Sequence, residues 1–159
     1  MVDNYKEELI EYIKAKKEYE EIENQYNVLI KYKLAQEQIE IIISEEKLKT
    51  VSKAHHLINQ ELEDLDKKFD SISKKYYKLR YELNPDNLRN VMYHLMTNEK
   101  LTESELAEEI SYTITEVNEL FERGSTTSRM LDMLCKKFDV PRLTSWDRYV
   151  NNFGQLKDQ

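Results

Sequence analysis

An all-α fold is predicted for this chain of 159 residues by three features: a long apolar ladder at helical spacing, two successive helix-start signatures, and a scarcity of helix breakers. The ladder runs Leu48, Val51, His55, Ile58, Leu62, Leu65, Phe69, Ile72, Tyr76, Leu79, Leu83 in alternating steps of three and four residues. Ten of those eleven positions are apolar or aromatic, the pattern of a packed helical seam. Only two Gly and two Pro occur in the whole chain, so breaks are few. The ladder stops at Asn84-Pro85, where proline lacks a backbone donor and disfavours helix in the residue before it. The chain is therefore expected to divide into a coiled-coil arm, residues 1–83, and a C-terminal head, residues 84–159.

The first half of the arm has its own repeat. Tyr5, Tyr12, Tyr19 and Tyr26 recur every seventh residue, with Leu9, Ile13, Ile22 and Leu29 filling the same face, so the rings share one stripe of a helix and read as core. The pattern blurs through Ile39, Ile41, Ile42 and Ile43. Two architectures follow: one continuous helix of roughly 120 Å, or two antiparallel helices folded back near Ser44. Charge favours the fold-back. A parallel in-register dimer with Leu48, His55 and Leu62 at a positions would set Glu61 against Asp66 and Lys75 against Arg80, both like-charged. Phe69 and Tyr76 are also bulky for such a seam. An antiparallel hairpin places Tyr5, Tyr12, Tyr19 and Tyr26 beside Leu83, Tyr76, Phe69 and Leu62, with Ser44 followed by Glu45 and Glu46 starting the second helix.

Composition narrows the chemistry. The formal charge of -7 argues against a uniformly basic coat and against attraction to anionic membrane. No apolar stretch approaches the ~20 residues of a membrane helix, and the first residues carry no signal-peptide core. Cys135 is the single cysteine, so neither a disulfide framework nor a cysteine metal site can form within one chain, and a cytoplasmic location is expected. His55 and His56 read as tolerated polar seam residues, and His94 and Cys135 as ordinary helix residues. With no Gly-rich phosphate loop and no metal-spaced set, no enzyme, cofactor or metal is expected.

The head writes its helix starts plainly. Asn84 with Pro85 is read as opening a helix through Leu88, Val91, Met92 and Leu95. Thr102 with Glu105 forms a capping box for the next, and Thr113 with Glu116 repeats it three residues after Ile110. Leu106 and Ile110 face inward, small Ala107 allows close helix approach, and Val117 and Leu120 supply the matching face. Met130, Leu131, Met133, Leu134 and Phe138 make a fourth helix, and Trp146, Tyr149 and Phe153 a fifth that packs back on the head.

Leu101-Thr102 followed by Leu106-Ala107, the turn Ser111-Tyr112-Thr113 and then Val117 resemble the helix-turn-helix of the phage-repressor class, the Cro, cI and xenobiotic-response-element family. The resemblance extends through Phe121-Glu122-Arg123-Gly124 to Asp139-Val140-Pro141, covering residues 86–141. Ser111 stands where the family usually has glycine, and Gly124 falls about one residue late, so the second helix of the motif should be slightly longer. The resemblance implies that this helix enters the major groove of double-stranded DNA, with Thr113, Ile114, Thr115, Glu116, Asn118 and Glu119 facing base edges. It also implies a transcriptional regulator, encoded by a phage or mobile element; the arm lies outside the resemblance, and its coiled coil is expected to make the chain a homodimer.

Electrostatics sets a condition on that reading. From Leu101 through Glu122 there is no Lys or Arg, while Glu103, Glu105, Glu108, Glu109, Glu116, Glu119 and Glu122 are acidic. Phosphate contacts would fall to Lys74, Lys75, Lys78 and Arg80 at the basic, tyrosine-rich end of the arm, and to Arg89, Lys100, Arg123 and Arg129 in the head. The alternative is an interaction or inhibitor protein that offers the acidic head and the arm to a protein partner.

Overall fold

The computed structural model describes residues 4–40 and 45–151, all of whose extended elements are helices. These are α1 (Tyr5–Glu40), α2 (Glu45–Leu83), α3 (Leu88–Asn98), α4 (Glu103–Ile110), α5 (Ile114–Arg123), α6 (Ser128–Phe138) and a 3-10 helix (Thr144–Tyr149). The all-α class is thus observed. The chain forms two compact units: Tyr12–Lys78, and Met1–Glu11 together with Leu79–Gln159.

Within Tyr12–Lys78 the aromatic stripe of α1 meets the ladder of α2. Tyr12 stacks on Tyr76 with ring centroids 5.5 Å apart, and Tyr19 lies 4.9 Å from Tyr76 and 5.0 Å from Phe69. Further along, Gln25 and Leu29 line a cleft with Glu61 and Leu65. Positions on α2 fall as those on α1 rise, which is an antiparallel hairpin in the register expected from the two heptad series. The expected turn near Ser44, and the run Ile41, Ile42 and Ile43, lie outside the described residues. Stacked rings on both helices fix the register, since a shift of one residue would turn every ring off the seam.

The second unit joins the opening of α1 to the head. Tyr5 and Leu9 are fully buried. The Tyr5 hydroxyl donates to the Leu83 carbonyl at 2.8 Å, and Asn90 Nδ2 donates to the same oxygen at 2.9 Å. That oxygen belongs to the last turn of α2, whose carbonyls lack intrahelical partners, so the two side chains satisfy a helix end that would otherwise be orphaned. The Tyr5 ring stacks on His94 of α3 at 4.6 Å.

The opening of α3 differs from expectation. Its N-cap is Asn87, whose side chain accepts from the Asn90 amide, and not Asn84 with Pro85. Asn84 takes a left-handed φ of 45° and closes α2, its amide donating to the Arg80 carbonyl at 3.1 Å. Pro85 is buried in the intervening turn, and its carbonyl accepts from Trp146 Nε1 at 2.7 Å.

Both expected capping boxes are present, at Thr102/Glu105 and at Thr113/Glu116. α4 packs on α5 and α6, and α3 packs on α5. Leu88, Met92 and Leu95 of α3, Leu106 and Ile110 of α4, Leu120 of α5, Phe138 of α6 and Trp146 form one core. Trp146 is 0% exposed. The fifth helix is 3-10 and stops at Tyr149, shorter than expected; Phe153 lies outside the described residues. Thr126 pairs with Val150 in an isolated parallel bridge, through Thr126 N to Tyr149 O and Asn151 N to Thr126 O.

Candidate nucleic-acid interface

α4 ends at Ser111 in a left-handed conformation (φ 60°), and α5 begins at Thr113, its N-cap. The turn between them is short, and Ile110 at the end of α4 and Val117 in α5 are both buried on either side of it. α5 runs to Arg123, and Gly124 supplies the left-handed residue (φ 71°) that ends it. A side chain at Gly124 would be strained by that φ and would bring its Cβ within 3.0 Å of Arg89 Cδ. The Arg89 stem therefore packs at the C-terminal end of α5.

The six residues expected to face bases differ in what they have to offer. Thr113 Oγ1 accepts from the Glu116 amide at 3.2 Å, and a Glu116 carboxylate oxygen accepts from the Thr113 amide at 2.9 Å and the Thr113 hydroxyl at 3.0 Å. Both side chains are committed to starting the helix. Asn118 is half-buried, and its Oδ1 is sealed from solvent without a hydrogen-bond partner. Glu119 is half-buried and lies 4.0 Å from Arg123 one turn on. Ile114 is 48% exposed, and Thr115 is exposed beside it.

The expected phosphate contacts separate by unit. Lys74, Lys75 and Lys78 belong to Tyr12–Lys78, where Lys74 pairs with Asp70 at 3.0 Å. Arg80 pairs with Asp86 at 3.2 Å. Lys100, exposed and with a positive φ of 56°, sits in the turn between α3 and α4. Arg129 lines a cleft of about 280 Å³ with Ser111, Tyr112 and Glu116 at the N-terminal end of α5. Arg123 and Arg89 stand at the other end. None of the ion pairs among the described residues takes up Arg89, Lys100 or Arg129.

Part of the acidity around the motif has a local structural role. Glu105 and Glu116 close capping boxes, where a carboxylate also faces the positive end of the helix dipole. The hydrogen bonds from Thr102 hold the Glu105 carboxyl below its ordinary range. Glu109 and Glu99 bind Lys137 at 2.7 and 2.9 Å, which raises the Lys137 ammonium above its usual range. Arg142 is similarly held by Asp147 at 2.6 Å and Asp132 at 2.8 Å. Lys137 and Arg142 are thus compensated within the fold, whereas Glu103, Glu108 and Glu122 have no cationic partner among the described residues.

Sequence reasoning missed the apolar surface of the arm. Val28, Tyr32, Leu34 and Leu57 are more than half exposed, and Val28 with Leu29 and Leu65 lines an open cleft of about 570 Å³. The signal was present in the sequence, because Val28 and Tyr32 lie off the Tyr5-to-Tyr26 stripe. Cys135 is buried, which pushes its thiol up to about 11 and leaves it inert at neutral pH. Among the described residues, no group of three or more His, Cys, Asp or Glu side chains could hold a metal ion, and no helix is long and apolar enough to cross a membrane. Comparison with protein-family models, curated proteins and solved structures gave no match to this chain.

Proposed function

We propose that this protein is a DNA-binding regulator that lays the start of α5 in the major groove and associates in pairs through its helical arm. The observation that carries the reading is the arrangement around α5: Ile114 and Thr115 are exposed at its first turn, with Arg129 at that end and Arg89 and Arg123 at the other. A helix flanked by cations at both ends can be held by phosphates on either side while its first turn meets base edges. The resemblance of residues 86–141 to the phage-repressor class supports the same docking. Pairing through the arm is supported by the exposed Val28, Tyr32, Leu34 and Leu57, and two copies would present two α5 helices to two half-sites.

A test separates positioning from reading. Arg129→Ala should weaken binding about equally across sequences and reduce the salt slope by about one, while Thr115→Ala should relax sequence preference with the salt slope unchanged. Arg129→Ala with an unaltered salt slope would count against the docking.

A second reading is favoured by one specific observation, the absence of Lys and Arg from Leu101 through Glu122 alongside seven Glu. An acidic head of this kind would suit a basic surface on a protein partner. Binding to such a partner should weaken on charge reversal at Glu108 and Glu122, which are exposed and outside both capping boxes; DNA binding should strengthen.

A further inference from the structure

Guanine is usually read by Arg or Lys, adenine by the acceptor and donor of one Asn or Gln amide, and thymine by apolar contact with its C5 methyl group. The residues of α5 can be sorted against these three chemistries. No Lys or Arg precedes Arg123 on the helix, so its first two turns carry no guanine reader. Asn118 is the one amide on the helix, and its Oδ1 is sealed against the protein, so the acceptor half of an adenine contact is withdrawn. Thr113 and Glu116 are bonded to each other. Glu119 lies beyond the first turn, 4.0 Å from Arg123 near the C-terminal end of the helix, and its carboxylate repels the two major-groove acceptors of guanine and can accept only from a cytosine amino group. What remains at the first turn is the Ile114 side chain, 48% exposed although nothing in the core needs it outside, and the methyl-bearing Thr115 beside it.

We infer that α5 discriminates bases by the C5 methyl group of a pyrimidine, contacted by Ile114 with Thr115 beside it, and that its sites are therefore centred on A·T pairs. This rests on the DNA-binding reading above and specifies what that reading recognises. Ile114 acts as a specificity-determining residue, and the arginines around α5 supply position without sequence information. The same contact would accept 5-methylcytosine in place of thymine, because the two bases carry the methyl group at the same position of the ring.

The test removes only that methyl. Duplexes selected from a randomised pool by the full chain are resynthesised with dU in place of dT, one position at a time, and binding is compared for the parent chain and for Ile114→Ala. Replacement at a contacted position should weaken binding roughly fourfold, the effect of exposing one buried methyl group. Ile114→Ala should bind the dT and dU duplexes equally while keeping the salt dependence of the parent. Because Ile114 is half exposed and outside the core, that variant should melt with the parent chain. Equal binding of dT and dU duplexes at every position, or discrimination that survives in Ile114→Ala, overturns the inference and leaves the DNA reading standing. If no duplex is enriched from the pool, the DNA reading falls and the inference with it.

Discussion

Replacing Tyr5 by Phe and Asn90 by Ala, singly and together, probes the point where the opening of α1 is tied into the head unit. The two side chains share one acceptor, the Leu83 carbonyl, at 2.8 and 2.9 Å. Tyr5→Phe removes one hydrogen bond and leaves the carbonyl with its other donor, so about 1 kcal/mol should be lost. Asn90→Ala removes the other bond but gains some helix propensity, so its net cost should be roughly 0.5 kcal/mol. With both gone the carbonyl is buried and unpaired, which adds a desolvation penalty of about 1–3 kcal/mol. The double variant should therefore lose at least ~1 kcal/mol more than the sum of the singles, and the propensity gain cancels from that coupling. Urea unfolding followed by fluorescence is the assay. Trp146 is the single tryptophan and is 0% exposed in the same unit, so its emission reports this unit in particular. Coupling within ~0.5 kcal/mol of zero, the range of independent sites, would refute a shared carbonyl.

Four further perturbations have worked signs. Burial holds the His94 imidazole below its ordinary value, so the folded state favours the neutral form; the stability this gives is present above pH ~6.5 and lost as pH falls through the depressed value, and His94→Gln should flatten the Trp146-detected unfolding midpoint over that window. Burial likewise pushes the Tyr5 phenol up, so its contribution is intact below pH ~10 and declines as pH rises beyond that, an alkaline limb that Tyr5→Phe should remove. Gly124→Ala forces a side chain into φ 71° against Arg89 and should cost about 1–2 kcal/mol by urea unfolding. Thr113→Ala removes the cap of α5 and should cost about 1 kcal/mol of stability with little change in which DNA sequence is preferred; a changed preference would place Thr113 at a base edge.

What could be read from the sequence was local or periodic. Heptad tyrosines against a three-four ladder specify which side chains can meet in an antiparallel pair, and Tyr12 on Tyr76 and Tyr19 on Phe69 follow directly. Capping boxes are four-residue signals, so Thr102/Glu105 and Thr113/Glu116 were legible as written. The opening of α3 was misread because Asn84-Pro85 and Asn87 both look like helix starts. The choice was made by Asn84 closing α2 in a left-handed turn and by Trp146 binding the Pro85 carbonyl from 61 residues away. The final helix was shortened to 3-10 for a related reason: Tyr149 and Asn151 are drawn into backbone hydrogen bonds with Thr126.

For the candidate interface, residue type suggested six base readers, and four of them carry local constraints that residue type alone does not show. Thr113 and Glu116 bear the right donors and acceptors but are spent on the cap, a commitment their own spacing announces. The sealed Asn118 Oδ1 depends on the rotation of α5 against its neighbours, which no one short segment specifies, whereas the 4.0 Å approach of Glu119 to Arg123 follows from their i,i+4 spacing once the helix is known to reach Arg123.

The claim that α5 reads DNA is tested most directly by selecting sequences from randomised duplex DNA with the purified chain, at ~0.1 M salt where phosphate contacts still contribute, and weighing the oligomer in the same sample. Enrichment of a two-fold-symmetric site with A·T pairs in each half, bound by a dimer, is the expected result. Failure to enrich any sequence, by a chain that is folded as judged by buried Trp146, would contradict it and make the acidic head a surface for protein.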